Sequence, residues 1–299
     1  MSCPCGRSPD SCRGWHALSD EQYRKELKAY KAEKNKNSFY NRTKRKVLAL
    51  MGKGKMVDGE GYIPKYQELK VTEIEHYTGE LFRFRTQKPD GFKFKAGEFT
   101  MIGLQGVYRA YSITSHPDAD YLEFYSIKVE NGPLTTKLRL ISVGDTVEVS
   151  GNATGTLVTD YLNEGTDLWM FATGTGIAPF ISLLRDPATR PLYDRLHVVW
   201  SVRTQDELKS YDAFLKAQDI DYIPIVTRDA NWTGHSKRMT ELMKERTIFD
   251  RARPGTDKAM LCGSLPFNVD VKKILEDRGW TEGSKRKQGD FTVEKAFVG

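Results

Sequence analysis

The feature that most limits how this chain can fold is a change of hydrophobic period near residue 167. From about Tyr62 the sequence runs as short alternating segments: "LKVTEIEHYT", "ELFRFRT", "EFTMIGL", "RAYSIT", "YLEFYSIKV" and "DTVEVSG". The turn-forming stretches "KPDG", "HPDAD" and "ENGP" separate them. Several short strands with no long helix predict an antiparallel barrel. From Asp167 strands alternate with helical patterns: "LWMFATG" then "APFISLL", "LHVVWSVR" then "QDELKSYDAFLKA", "YIPIVTR" then "RMTELMKE", "KAMLCGS" then "NVDVKKILEDRGW". "DFTVEKAFV" reads as a closing strand. That alternation predicts a parallel sheet covered by helices. The expected domains are therefore a barrel over 61–165 and an α/β unit over 166–299.

Residues 1–60 fit neither pattern and read as a basic extension. Residues 1–56 hold fourteen Lys/Arg and five Asp/Glu, while the rest of the chain is slightly acidic. Such an arm suits nucleic acid, an anionic surface or an acidic protein, and equally suits a solvated tail. "LSDEQYRKELKAYKAEKNKN" is expected to be helical, and 36–61 to be a linker. Three of the four cysteines fall here, with the spacing Cys3, Cys5, Cys12 and His16. Four thiolate and imidazole ligands are what a tetrahedral structural zinc takes, so these four are candidate metal ligands. A disulfide framework does not fit a chain of this length with so few cysteines. No apolar run approaches the roughly 18 residues of a membrane span. The N-terminus also lacks the apolar core of a signal peptide, so a cytoplasmic location is expected.

Chemistry concentrates in a few short stretches. "RAYSITS" at 109–115 places a cation suited to phosphate, Arg109, beside a flat ring, Tyr111, and a hydroxyl, Ser112. On a strand, Arg109 and Tyr111 share a face and Ser112 takes the other, so a bend is needed to aim all three at one ligand. "NGPLTTKL" at 131–138 turns at Gly132 and offers Thr135 and Thr136 at a helix start, which favours a phosphate. "ATGTGIAPF" follows a buried strand and opens a helix, with Gly174 and Gly176 allowing close backbone approach. It is not the G-x-G-x-x-G fingerprint, because Pro179 stands where the third glycine would be.

Taken in order, "RAYS", "EFYSIKV", "GPLTTKL", "GTGIAPF", "VTR", "MLCGS" and "VEKAFV" resemble the ferredoxin–NADP⁺ reductase family in its bacterial branch. The resemblance runs from about Gly61 onward. It implies an FAD-binding barrel, an NADP(H)-binding α/β domain, and hydride transfer between nicotinamide C4 and flavin N5 in the cleft between them. It implies that Arg109 holds the FAD pyrophosphate, Tyr111 stacks on the isoalloxazine, and Ser112 bonds near its N5. Ala110, Ser126, Lys128, Gly132, Thr135, Thr136, Ala296 and Phe297 would complete the FAD site. Gly174, Thr175 and Gly176 would form the nucleotide turn, with Cys262, Gly263 and Ser264 beside the nicotinamide. Ser112, Cys262 and Glu294 would be the catalytic set. Arg203, Arg228 and Arg238, two of them at strand ends, would read the phosphate that distinguishes NADPH from NADH.

The implied partners are NADPH, a ferredoxin or flavodoxin, and an acidic protein or assembly for the extension. Two other readings stand beside this one. One is a reductase component of an oxygenase system. The other is a binding protein that docks through the basic extension.

Overall fold

The computed structural model describes residues 54–57 and 61–295, with Lys25 alone before them, in helical conformation. The candidate zinc ligands Cys3, Cys5, Cys12 and His16, and the candidate flavin contacts Ala296 and Phe297, lie outside the described residues. At the end of the stretch expected to be a linker, β1 (Gly54–Val57) pairs with β2 (Gly61–Pro64), just beyond it, as an antiparallel hairpin.

Six strands then form an antiparallel sheet: β3 (Tyr66–His76), β4 (Leu81–Gln87), β5 (Phe99–Leu104), β6 (Val107–Ser112), β7 (Tyr121–Ile127) and β8 (Thr146–Thr154). Their order is β6-β5-β8-β3-β4-β7. The two edges meet where Ile113 pairs with Phe124, and the amide of Thr114 donates to the carbonyl of Glu123 at 2.9 Å. That contact closes the sheet into a barrel and removes its open edges. Alternation sends Leu69, Val71, Phe82, Phe84, Leu122 and Phe124 inward.

β7 departs from the half-buried pattern. Its interior face packs in the barrel, and its outer face, Glu123 and Tyr125, is buried as well. Tyr125 and Leu81 join the core of the second domain. The seam between domains is therefore built on this strand.

The second sheet comprises β9 (Asp167–Thr173), β10 (Arg195–Val202), β11 (Asp221–Val226), β12 (Lys258–Gly263) and β13 (Phe291–Lys295). All pairings are parallel, in the order β11-β10-β9-β12-β13. Leu168, Met170 and Ala172 of β9 face one helical layer, and Trp169 and Phe171 face the other. Both faces are buried, as a parallel sheet requires. The strand order reverses between β9 and β12, where ligands of such sheets bind.

Within residues 61–295 the α-helices are α1 (Thr135–Leu138), α2 (Ala178–Arg185), α3 (Gln205–Leu208), α4 (Asp212–Lys216), α5 (Met239–Lys244) and α6 (Leu265–Asp277). Pro179 lies in the first turn of α2, and the Ser264 hydroxyl caps α6 by accepting from the Phe267 amide. The single helix expected over "QDELKSYDAFLKA" is instead two. The break lets Tyr211 turn inward, buried edge-to-face on Tyr125 at 5.1 Å, and the Ser210 Oγ lies 2.7 Å from the Tyr125 hydroxyl.

Candidate active site

Between the barrel and the mouth of the parallel sheet lies a cleft of about 520 Å³, open solvent included. The barrel contributes Ala110, Tyr111 and Ser112 from the end of β6, Ser126 from β7 and Thr135 from α1. The α/β domain contributes Thr175, Cys262 and Glu294. Eight of the residues expected from sequence thus meet across the domain boundary. Tyr111 and Ser112, neighbours on β6, both line the cleft, and just beyond them Ile113 bridges to Phe124 of β7; Arg109 is not among the lining residues.

Tyr111 is nearly buried, with Phe124 edge-to-face behind it and its hydroxyl 3.3 Å from the Ser126 hydroxyl. Burial pushes its phenol up to about 12, so it stays neutral and flat in the physiological range. Thr135 Oγ1 accepts from the Val129 amide at 3.0 Å, and Thr136 Oγ1 donates to the Gly132 carbonyl at 2.6 Å. These bonds fix the 129–136 turn. A side chain at Gly132 would sit 2.4 Å from Thr135 Oγ1, so glycine is needed there. Lys128 is held through its amide, which donates to the Glu80 carbonyl at 2.8 Å. Arg109 is exposed beside the cleft, its Nη1 donating to the Tyr108 carbonyl.

On the opposite wall, a turn over Gly174–Ile177 links β9 to α2. Gly174 has φ +52° with open space around it. Gly176 passes so close to β12 that a Cβ would lie 2.2 Å from the Cys262 carbonyl oxygen. Gly263 is equally confined, since a Cβ there would lie 2.3 Å from Thr173 Oγ1, and that hydroxyl also receives the Ser264 amide. The turn is anchored from below by the buried Trp200, whose Nε1 donates to the Gly174 carbonyl at 2.9 Å.

Cys262 is 1% exposed; burial, reinforced by nearby Glu294, pushes its thiol well above its ordinary value. It is a neutral thiol, not a thiolate nucleophile. Glu294 is its register partner on β13. Burial raises that carboxyl to about 7, against the lowering pull of the Thr156 amide, which donates to Oε2 at 2.9 Å.

The three expected phosphate-reading arginines cluster less tightly. Arg203 and Arg228 follow adjacent strand ends, and the Arg228 amide donates to the Arg203 carbonyl at 2.8 Å. The Arg203 side chain is engaged, its Nε with Glu207 at 2.8 Å and its Nη2 with Glu80 at 3.4 Å. Arg228 and Arg238 are exposed, and among the described residues neither side chain has an ion-pair partner. Arg238 directly precedes α5. Sequence reasoning missed Phe99, Tyr125, Ile127, Val129 and Ala178, which also line the cleft. Tyr125, Ile127 and Val129 lie within the quoted "EFYSIKV", so the stretch was noticed but its outward face was not.

A flat neutral ring, hydroxyls and a tight turn on one wall suit a flavin. An open glycine turn at the switch point suits a dinucleotide. This is the architecture of a two-domain flavin- and nicotinamide-dependent oxidoreductase. Comparison with known proteins agrees: residues 68–157 match the family described as oxidoreductase FAD-binding domain, and 170–273 the oxidoreductase NAD-binding domain. The flavodoxin/ferredoxin–NADP reductase of Rhodobacter capsulatus is 41% identical over 251 residues, covering 77% of this chain and 92% of that one. Ferredoxin–NADP reductase A of Sorangium cellulosum is 40% identical, covering 79% and 92%. A structure of a ferredoxin NADP⁺ reductase from Neisseria gonorrhoeae with bound FAD and NADP superposes with a TM-score of 0.74. It is 33% identical and covers 79% of this chain and all of that one. The chain belongs to the ferredoxin/flavodoxin–NADP reductase family and is an FAD-dependent oxidoreductase.

Proposed function

We propose that this protein carries electrons between NADP(H) and a small one-electron carrier, a ferredoxin or flavodoxin. The observation that carries this reading is the single cleft to which the FAD-type barrel gives Tyr111, Ser112 and Ser126 and the nucleotide-type domain gives Thr175, Cys262 and Glu294. Bound FAD supplies a ring that accepts a hydride as an electron pair and passes electrons on singly.

The chain's own residues bind, orient and manage one proton. Tyr111 presents a neutral face for stacking, with Ser112 beside it at the strand end. Arg109, Gly132, Thr135 and Thr136 receive the phosphates, the arginine by a charge-assisted contact. Gly174, Thr175 and Gly176 hold the nicotinamide dinucleotide at the helix start. Cys262 fills the space beside the reacting ring without competing as a nucleophile. Glu294, balanced near neutrality, holds or releases a proton at Oε1 while Oε2 stays bonded to Thr156. Arg228 and Arg238 read the extra phosphate of NADPH, with Arg203 beside Arg228.

The test is anaerobic reduction of a purified ferredoxin and a purified flavodoxin by NADPH, followed by absorbance. Efficient reduction of at least one carrier is expected, with NADPH far better than NADH. Turnover of dyes alone would overturn the carrier assignment.

The charge excess of residues 1–56 supports an acidic protein partner for the extension, and a pull-down with the extension tests it. One equivalent of zinc is expected at Cys3, Cys5, Cys12 and His16; elemental analysis showing none would remove it. Among the described residues no helix is long and apolar enough to cross a membrane, and a cytoplasmic location is the reading we adopt.

A further inference from the structure

Glu123 is a fully buried carboxylate that the proposed chemistry does not use. Its Oε1 accepts from the Thr114 hydroxyl at 2.8 Å, from Arg185 Nη1 at 2.6 Å and from the Tyr211 hydroxyl at 3.3 Å. Its Oε2 accepts from Arg85 Nε at 2.8 Å and lies 3.3 Å from Arg83 Nη1. Thr114, Arg83 and Arg85 belong to the barrel, whereas Arg185 and Tyr211 belong to the nucleotide domain. Burial alone would raise the carboxyl, but Arg185, Arg83 and Thr114 together hold it below its ordinary value, so it is ionised. Breaking a buried charge pair is costly because the survivor is left without compensation. Arg185 is committed to the same seam, since its Nη1 also donates to the Thr114 carbonyl at 2.8 Å.

The placement of Arg185 gives this cluster its leverage. It is the last residue of α2, whose first residue, Ala178, lines the cleft and continues the Gly174–Ile177 turn. Eight helical residues span about 12 Å as one stiff rod. Pinning the far end therefore decides where the near end stands. Ser182, one turn back from Arg185, adds a second pin by donating to the Ser115 carbonyl at 2.8 Å. Two residues from Glu123 on the same face of β7, Tyr125 lines the cleft itself.

We propose that Glu123, acting through Arg185, is a positioning residue that sets the separation of the two cleft walls, and so sets the rate of hydride transfer while contributing little to the binding of either cofactor. The inference rests on the reductase reading above. Proximity effects are steep, so a small displacement of α2 is enough to slow the reaction strongly.

The experiment uses the FAD-loaded full chain with Glu123→Gln, Arg185→Gln, Arg185→Lys and the double glutamine variant. Anaerobic stopped-flow reduction by NADPH gives the limiting rate, and titration with NADP⁺ gives the dissociation constant. The ratio of flavin to protein absorbance gives FAD content. Long-wavelength absorbance reports stacking of the nicotinamide on the flavin. We expect both glutamine variants to lose about tenfold or more in limiting rate and to show weaker stacking absorbance. FAD content should be unchanged and NADP⁺ affinity should move less than about twofold. The double variant should be no slower than the slower single one, and Arg185→Lys should recover part of the rate. Should Glu123→Gln fail to fold, Arg185→Gln decides, since it leaves Glu123 its Arg83 and Arg85 contacts. Lower thermal stability with an unchanged limiting rate would overturn the proposal, as would a slow rate traced to lost FAD or lost NADP⁺ affinity. A wild type that NADPH does not reduce would overturn the reductase reading and this inference with it. A wild type that is reduced, with variants equal to it, would overturn the inference alone.

Discussion

The two walls of the cleft are built on different principles. The barrel wall is hydrogen-bonded within itself: Tyr111 to Ser126, Thr135 to Val129, Thr136 to Gly132. Arg109 stands exposed beside it. The nucleotide side instead combines bare backbone at Gly174 with titratable groups at Cys262 and Glu294, and the exposed Arg228 and Arg238 stand outside the cleft lining, after a strand end and before a helix start. A wall that keeps its ligand through many turnovers is best prefabricated. A wall whose ligand must arrive and leave is better served by long, solvated side chains, whose contacts form and break without burying a charge for good. Polar groups facing each other across one cleft are thus divided between retention and exchange.

The largest test of this division is Gly176→Ala. The added methyl would meet the Cys262 carbonyl at 2.2 Å, and neither backbone can yield without disturbing the switch point. Overpacking of this kind costs about 1–3 kcal/mol or more, so reduction by NADPH should fall on the order of a hundredfold. FAD content, set by the other wall, should hold. Parallel loss of flavin would show that the walls are not independent.

Arg109→Ala probes the retaining wall. Loss of one charge-assisted phosphate contact, worth about 1.5–3 kcal/mol, should weaken FAD binding about tenfold or more. Dialysis against rising salt, with flavin fluorescence in the filtrate, measures it. Retention equal to wild type would remove Arg109 from the pyrophosphate site.

Arg228→Ala and Arg238→Ala probe the exchanging wall. Each should raise the Michaelis constant for NADPH up to about tenfold, since these side chains are solvated and their phosphate contacts screened. The constant for NADH should barely move. Equal effects on both coenzymes would place these arginines away from the distinguishing phosphate.

The smallest effect concerns Glu294. Its carboxyl stands at about 7 in the folded protein, above its ordinary value of 4.5. The folded state therefore holds this proton more tightly than the unfolded state does. The stability it contributes is complete below 4.5 and is lost as pH rises to about 7. The limiting rate of flavin reduction should show an apparent pKa near 7 that disappears in Glu294→Gln. A profile that survives the substitution would assign the titration to another group.

Much of this was legible in the sequence because backbone chemistry leaves local marks. The change of period at residue 167, the Gly-Thr-Gly turn and the Arg-Ala-Tyr-Ser strand end each need particular residues at fixed spacing. What stayed hidden depends on partners distant in the chain. In the sequence Glu123 is one residue of an alternating segment, and its partners Arg185 and Tyr211 come to it only in the fold. Arg203 reads as free until Glu207 and Glu80 are seen to hold it. The helix expected through Lys209–Tyr211 breaks because burying Tyr211 beside Tyr125 prevails over local helical preference. The β1–β2 hairpin was invisible because its two four-residue, glycine-bearing strands are too short to show alternation.

The bond from Trp200 to the Gly174 carbonyl has a thermodynamic consequence. Gly174, at positive φ, would by itself wander among many backbone states. An indole locked in the core selects one of them, so the conformational entropy of the turn is surrendered when the protein folds and not when a dinucleotide arrives. Preorganised in this way, the turn would take up the proposed dinucleotide without reordering, leaving the affinity of each encounter to the contacts alone.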